Sequence, residues 1–433
     1  MSSDPKIYHG EWWVPAEADP DNHVMFPMIH RGMEARYTGT LTYHEDMNST
    51  LELYHVPSKF ESKFYGYNDV MWGEDANGNI FTLFKVIIKP KLKNNFDFTN
   101  TAFDVGMILM GEHVLSIRDT RYNQCVVQFQ YLRNWAFQDC IKDDNYGYVY
   151  YHTLFGENRF IPLFESNIDD SVKWVLRNRF IQNRSKYDLS INQMTEFVIE
   201  AKQSVSIGTY LKHVKEFSQF LSIALYCEQS PSEIRLYNKA TNRYYLLLFK
   251  RGSVVNPNNN KLIKFDELKQ HVPDMLMTWH QNYAKVSPIS SYLIDSLRNK
   301  STFSVPDFLI IAQALDGYHK RFVNKKNGKD DRKYEKQIEI LLKQFNDVEA
   351  IQKCNIDPTV VKDTRHKYSH LYPDDEESLA VEGEELYWLT EKCKILLTCC
   401  ILNMMGLTNE EINICCENSP ISQMIKENSF EFK

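Results

Sequence analysis

The first 160 residues alternate between apolar and polar positions in short segments, a pattern that is typical of half-buried β-strands. The segments that show it best are residues 37–44, 50–56, 80–88, 105–114 and 125–131. Pro90 follows the apolar run at 80–88 and would end that strand, since proline cannot donate to a strand ladder. Turn residues recur about every ten positions, which favours a β-sandwich or a barrel-like β domain over residues 1–160.

The middle of the chain, residues 161–300, mixes two patterns. Residues 209–227 carry apolar side chains at spacings of three and four, which predicts a helix. The short apolar runs at 234–237 and 244–249 flank a polar Asn-Arg turn and predict two strands. We therefore expect a mixed α/β region that connects the β domain to the last third of the chain.

The last third of the chain shows the helical period almost throughout. Predicted helices cover residues 274–297, 307–323, 336–345, a short segment from 358 to 370, and 384–405. Pro306 suits the first turn of its helix, and Gly406 suits the end of the last one. Residues 274–297 form either one helix or a pair of helices, with the interruption at Ser287 and Pro288. Short connections predict an all-α bundle at residues 301–433, so the expected fold class is α+β.

Composition narrows the functional classes. A chain of 433 residues with 43% hydrophobic content is expected to form two or three packed domains. The net charge of −7 argues mildly against a scaffold that tracks nucleic acid, but less against an enzyme that grips one RNA segment. No apolar run reaches about 18 residues and the N-terminus is polar, so we expect neither a membrane span nor a signal peptide.

The nine cysteines include the adjacent pairs Cys399-Cys400 and Cys415-Cys416, and none belongs to a Cys-x-x-Cys motif. Adjacent cysteines on apolar helices are typical of buried core positions. We therefore expect free thiols and a cytoplasmic protein, without a disulfide framework. We also expect no metal site and no bound cofactor.

The segment with the most chemical content is DTRHKYSH at residues 363–370, which contains an Arg-x4-His motif. Metal-free RNA cleavage needs a proton carrier at the ribose 2′-hydroxyl or at the leaving 5′-oxygen, and His370 suits that role near neutral pH. It also needs a fixed cation for the developing phosphorane charge, which the guanidinium of Arg365 would supply. A helix C-terminus would favour the protonated form of His370.

A short motif of this kind also arises by chance, at roughly one match in a chain of this length. The alternative is that Arg365 is a surface residue of a helix and that His370 caps the helix C-terminus. Five positions also correspond to about 140° around an ideal helix. The two side chains would then converge only if the helix ended between them, or if a partner chain supplied a second copy of the motif.

Segments along most of the chain resemble one protein family, the ApeA-type HEPN proteins of bacterial anti-phage defence. The N-terminal resemblance rests on GEWWVP at residues 10–15, GTLTY at 39–43, LEL at 51–53 and LRNW at 132–135. The C-terminal resemblance rests on FL at 308–309, QALD at 313–316, DTRHKYSH at 363–370 and MGL at 405–407. Because the segments follow the family's order, they are more specific than the Arg-x4-His motif alone.

The resemblance implies a C-terminal HEPN four-helix bundle that acts as an endoribonuclease, with Arg365 and His370 as the catalytic pair. It implies abortive infection through a metal-independent reaction that leaves a 2′,3′-cyclic phosphate and a 5′-hydroxyl. It further implies a homodimer or higher homo-oligomer, an RNA substrate such as tRNA or mRNA, and a phage-encoded trigger that the N-terminal region senses. A non-catalytic binding or interaction module is the alternative.

Two positions depart from the usual family pattern and add supporting candidates. His366 stands where asparagine often follows the arginine, and it could contact phosphate or carry a second proton. Asp316 stands where glutamate is common, one methylene longer, so both a structural and a catalytic role are open. Tyr368, inside the motif, is a third supporting candidate.

A basic run follows the early helix of the predicted bundle and provides weaker candidates for RNA binding. The candidates for contacts to the RNA backbone are Lys320, Arg321, Lys325, Lys326 and, from the motif itself, Lys367. The commoner meaning of such a charge run is a solvated loop between two helices.

Overall fold

The computed structural model describes residues 4–15, 36–57, 67–89, 98–136, 142–143, 149–150, 160–184, 186, 189–252, 256–257, 261–298, 304–324, 333–371 and 378–429. The strands in these ranges are β1 Lys6–Trp13, β2 Tyr37–Tyr43, β3 Ser49–Pro57, β4 Tyr67–Asp75, β5 Ile80–Ile88, β6 Phe98–Met110, β7 Tyr122–Phe129, β8 Lys142–Asp143, β9 Val149–Tyr150, β10 Phe160–Asn167, β11 Val172–Arg184, β12 Leu189–Val205, β13 Pro231–Asn238 and β14 Arg243–Phe249.

Helices fill most of the second half of the chain. They are α1 Leu132–Trp135, α2 Ile207–Ala224, α3 Phe265–Leu268, α4 Val272–Arg298, α5 Val305–Tyr318, α6 Tyr334–Gln344, α7 Glu349–Cys354, α8 Pro358–His370, α9 Gly383–Met404, α10 Asn409–Cys416 and α11 Pro420–Ser429. A π-helical turn, His319–Val323, extends α5. Within the described residues, no helix combines the length and the apolar content that crossing a membrane requires.

Strand β6 closes a six-stranded antiparallel barrel. The neighbours follow the order β6-β3-β2-β1-β4-β5, and β5 then pairs with β6 again. Trp12 of the GEWWVP segment is fully buried in the barrel core, where its ring lies 5.6 Å from that of Phe81. Gly73 on β4 leaves the space for this ring, because a Cβ at that position would overlap it.

Beyond the barrel, the same sheet continues as an open arm. Strand β14 pairs with the last residues of β6, and the order continues β14-β13-β7-β12-β11-β10. One face of this arm packs against α2, with the Phe197 and Phe217 rings stacked at 3.8 Å. On the other face, Glu196 is fully buried and its carboxylate accepts from three arginines, Arg177, Arg179 and Arg235. Burial of this carboxylate is tolerated because charged donors surround it.

Helix α4 joins the sheet to the helical bundle. Trp279, fully buried, donates its Nε1 hydrogen to the Glu216 carbonyl on α2 at 3.1 Å and lies 6.1 Å from the Phe220 ring. Further along α4, Ile289 packs beside Gly317 of α5. One hydrophobic core therefore runs from the arm of the sheet, through α2 and α4, into the bundle.

The bundle itself is centred on α5 and α9, with α4, α6 and α8 packed around them. Its core contains a buried charge cluster: Lys394 of α9 lies 3.0 Å from Asp307 of α5 and 2.6 Å from Glu391. Burial alone would lower the pKa of Lys394, but the two carboxylates outweigh burial and hold that pKa above its usual value. The ammonium group therefore stays charged and ties α9 to α5.

The α+β fold class predicted from the sequence is confirmed, with a β-rich N-terminal region followed by a helical C-terminal region. Of the two alternatives left open for residues 274–297, the structure shows the single helix, since α4 continues through Pro288. Buried Val286 and Ile289 flank this proline, and their packing offsets the missing backbone hydrogen bond. The division of the chain at residues 160 and 300 stays a prediction.

We expect Trp279→Ala to lower the free energy of unfolding by about 3–5 kcal/mol, because truncating a fully buried tryptophan removes its contacts and leaves a cavity. Urea titration followed by circular dichroism measures the change. Tyr292→Ala is the matched control, since Tyr292 is on the same helix but 37% exposed. A loss for Trp279→Ala no larger than that of the control would contradict the role assigned to this contact.

Candidate active site

Helix α8 carries the Arg-x4-His motif and is defined by caps at both ends. The Asp357 side chain accepts from the Thr359 backbone N–H at 2.8 Å, and Pro358 occupies the first turn. His370 is the last helical residue, and Leu371 follows it in the left-handed conformation with its side chain 85% exposed. The motif therefore ends at an exposed position.

Arg365 is held on the side of α8 that faces the bundle. Its guanidinium lies 3.8 Å from the Asp316 carboxylate of α5 and 4.3 Å from the centre of the Tyr334 ring of α6. The Arg365 side chain remains 28% exposed. An arginine seated on a carboxylate and an aromatic ring keeps a fixed orientation and still has N–H groups to offer a phosphate.

Tyr334, whose ring contacts the Arg365 guanidinium, is itself held in place by the fold. It is buried, and its hydroxyl donates to the Ala312 carbonyl of α5 at 3.0 Å. Burial raises the pKa of Tyr334 well above its ordinary value, although the positive charge of Arg365 acts in the opposite direction. The phenol is therefore neutral, and the contact with Arg365 is a cation–π contact rather than an ion pair.

The two histidines of the motif lie on another face of α8. His366 and His370 are both exposed, and their rings approach edge to face with centroids 5.6 Å apart. Four positions along a helix bring side chains to the same face, which explains this pairing. The helix is continuous from Arg365 to His370, so these two residues point about 140° apart within one chain.

The described segment just before α9 lies along α8. The Val381 N–H donates to Thr364 Oγ1 at 3.1 Å, and the Tyr368 hydroxyl donates to the Val381 carbonyl at 3.3 Å. Lys367 forms an ion pair with Glu382 in the same segment. Tyr368 and Lys367, predicted as a supporting residue and a weak RNA contact, are therefore used here to fix the segment before α9.

Two of the remaining basic candidates, Lys320 and Arg321, lie near Asp316. Lys320 forms an ion pair with Asp316 at 2.8 Å, and Arg321 donates to the Lys285 carbonyl at 2.6 Å. Both line a cleft of about 280 Å³ between α4 and α5, to which Asp316 also contributes. The other two predicted contacts, Lys325 and Lys326, lie outside the described residues.

Sequence reasoning placed Arg365 and Asp316 among the candidates, and the structure brings them together with Lys320. It missed Tyr334, because the apolar pattern began the predicted helix at residue 336 and left this tyrosine outside it. It also missed a group of potential metal ligands on α2 and α4, namely His213, Glu216 and His280. The spacing of three between His213 and Glu216 is the signal that could have found them.

Comparison with protein families gives two matches. The family described as ApeA N-terminal domain 1 matches residues 7–280, and the one described as Apea-like HEPN matches residues 309–411. A comparison with curated proteins and one with solved structures each found no match.

The helical bundle and the Apea-like HEPN match together define a HEPN-domain protein. The chain belongs to the ApeA family, because the N-terminal match alone spans more than half of it. This confirms the family resemblance found in the sequence and makes the chain a HEPN-type anti-phage effector by family. HEPN domains are generally ribonucleases.

If the Tyr334 ring positions Arg365, we expect Tyr334→Phe to retain RNA cleavage and Tyr334→Leu to reduce it by roughly two- to thirty-fold, the value of one cation–π contact. Tyr334→Phe should cost only about 1 kcal/mol of stability, because it loses one hydrogen bond but keeps the ring. Cleavage rates are compared at a temperature at which both variants are folded. Equal rates for the two variants would show that the ring does not position Arg365.

Proposed function

We propose that this chain is a metal-independent endoribonuclease that acts in abortive infection. The observation that carries the proposal is the setting of Arg365: its guanidinium is fixed by Asp316 and Tyr334, partly exposed, and on a helix that also presents two histidines. Such a helix combines an oriented cation with imidazole side chains that can carry protons, and RNA cleavage without a metal requires both.

The proposed reaction is an intramolecular transesterification at one phosphodiester of the RNA. A histidine accepts the proton of the ribose 2′-hydroxyl, whose oxygen attacks the adjacent phosphorus while the bond to the 5′-oxygen breaks. A protonated histidine supplies the hydrogen that the leaving 5′-oxygen takes up. Arg365 stabilises the charge on the phosphorane. The products are a 2′,3′-cyclic phosphate and a 5′-hydroxyl, with His370 as the primary proton carrier and His366 as a second.

We further propose that the working site is shared between two chains. Because α8 is continuous, Arg365 and His370 diverge within a chain, and an antiparallel copy of α8 could bring the arginine of one chain to the histidine of the other. A homodimer of this kind would contain two equivalent sites. Asp316 acts in this arrangement as a positioning residue for Arg365.

The proposal includes control by the N-terminal region. A phage-encoded protein would bind this region in the cytoplasm and shift an equilibrium toward the active pairing of α8 helices, after which tRNA or mRNA is cleaved. The core that runs without interruption from the sheet through α4 into the bundle supplies a physical route for such coupling.

A non-catalytic binding module is the second candidate. It is favoured by the net charge of −7 and by the pairing of Lys320 and Lys367 with carboxylates of the same chain. An assay of purified protein on RNA, with the products examined for cyclic phosphate ends, distinguishes the two candidate functions.

We expect Arg365→Ala and His370→Ala each to reduce RNA cleavage by about 10²-fold or more and to abolish phage protection. Mixing the two variants should restore roughly a quarter of the wild-type activity, because half of the dimers formed at random then contain one intact site of two. Gel-based cleavage assays on the single and mixed preparations provide the measurement.

Lys353→Ala is the control for these variants, since Lys353 is a cation of the same bundle that pairs only locally with Glu349. It should leave cleavage unchanged. Full protection by Arg365→Ala or His370→Ala would overturn the ribonuclease proposal. Inactive single variants without recovery on mixing would leave catalysis in place and contradict the shared site.

For control by the N-terminal region, we expect a chain reduced to residues 261–433, which keeps α4 whole, to lose its dependence on infection. It should be either toxic without phage or inert with phage. Circular dichroism first establishes that the shortened chain is helical, and growth curves with and without phage then give the outcome. Protection that still appears only upon infection would show that sensing lies in the helical region.

A further inference from the structure

A buried cluster of two histidines and a glutamate lies where the sheet region meets the helical region. His213 and Glu216 are on α2, three positions apart, and His280 is on α4. One ring nitrogen of each histidine and one carboxylate oxygen of Glu216 lie within 4.8 Å of one another. Their side chains meet because α2 and α4 pack together, so neither helix alone contains the site.

One polar atom of this cluster has no hydrogen-bond partner among the described residues. His280 Nδ1 bonds to Glu216 Oε1 at 2.8 Å, but His213 Nδ1 lies 4.0 Å from Oε2. His213 is 8% exposed, and its Nδ1 has no hydrogen-bond partner among the described residues. A buried polar atom without a partner is uncommon and costly, which indicates that a further group belongs there.

The protonation state of His213 suits a metal ligand, because a neutral imidazole is the form that binds a metal ion. Burial lowers the pKa of His213 to about 4, and the neighbouring His280 adds to this effect, so the His213 ring is neutral near pH 7. The hydrogen bond to Glu216 raises the pKa of His280, while burial raises that of Glu216. Asp169 adds a second negative charge near the group, which favours a cation.

We propose that His213, Glu216 and His280 bind one divalent transition-metal ion, with Zn²⁺ as the best fit. Two imidazole nitrogens and one carboxylate oxygen are a common zinc set, and water would complete four ligands. Small rotations of these side chains would bring the three ligand atoms to bonds of about 2.0–2.2 Å. The ion would satisfy the His213 Nδ1 atom, which otherwise has no partner in the cluster.

The expected role of this ion is structural. It would fasten α2, which packs on the sheet, to α4, which packs on the bundle. This site is independent of the proposed ribonuclease function, since none of its ligands belongs to α8. The competing explanation is a metal-free His280–Glu216 hydrogen bond that joins the helices by itself.

The test uses the full-length chain, freed of metal by chelation and dialysis. Titration with ZnCl₂ should reveal one site per chain and raise the midpoint of thermal unfolding by several degrees. Co²⁺ in place of Zn²⁺ should give the visible absorption of a four-coordinate ion with nitrogen and oxygen ligands. These measurements on wild-type protein need no variant, so a destabilised variant cannot obscure them.

Substitution of each of the three proposed ligands tests which residues bind the ion. His213→Gln and His280→Gln should weaken Zn²⁺ binding by at least about ten-fold and remove the rise in the unfolding midpoint. Glu216→Gln keeps an oxygen acceptor but loses the charge, and should weaken binding as well. His271→Gln is the matched control, because His271 pairs with Glu411 at 3.2 Å just before α4 but lies outside the cluster. It should bind Zn²⁺ as the wild type does.

Two outcomes would overturn the proposal. One is wild-type protein that shows no saturable Zn²⁺ site at micromolar concentrations, in which case the His280–Glu216 hydrogen bond stands alone. The other is a site whose affinity is the same in His213→Gln and His280→Gln as in the wild type, which would assign the ion to other residues.

Discussion

Burial of α4 (Val272–Arg298) on two sides is the interaction on which the remaining architecture depends. Trp279 fills the space beside α2, and Ile289 packs next to Gly317 of α5, so one 27-residue helix belongs to both halves of the molecule. Because one hydrophobic core runs through both halves, α4 contacts α2 of the sheet region and also α5, the helix that carries Asp316. Since Asp316 holds Arg365, the packing of α4 bears on the orientation of the candidate catalytic cation.

The sequence predicted secondary structure best where an apolar run or a helical spacing extended over many residues. The apolar run at 80–88 became β5, and the helical spacing at 209–227 became most of α2. Strands β11 and β12 were not predicted, because their outer face carries charged residues that resemble solvated positions. Glu196 of β12 shows why this failed: it is fully buried, and only the fold brings Arg177 and Arg235 to it. A local pattern cannot reveal charge pairing between strands distant in sequence.

The candidate site also has one part that the sequence predicts and another part that only the fold reveals. The chemistry of Arg365 and His370 and the angle of about 140° between them follow from residue type and helix geometry alone, and the continuous α8 agrees with that angle. Tyr334 could not be assigned beforehand, because its role depends on the packing of α6 against α8. The sequence made Lys367 a candidate for contact with the RNA backbone, but in the fold this lysine pairs with Glu382. A charged side chain can pair with a residue that is distant in sequence. Such pairs decide which charges remain available to a ligand.

Charge also restricts how RNA could be held. Residues 301–433 contain 17 lysines and arginines and 23 aspartates and glutamates, so the bundle as a whole repels a polyanion. Several of its described lysines are neutralised locally, among them Lys320, Lys367 and Lys394. The RNA binding that we propose would therefore gain little affinity from long-range attraction and would rely on short-range contacts at a few phosphates. Two α8 helices side by side would double the exposed arginine and histidine groups at one place. Dimerisation would then serve RNA binding as well as the pairing of Arg365 with His370.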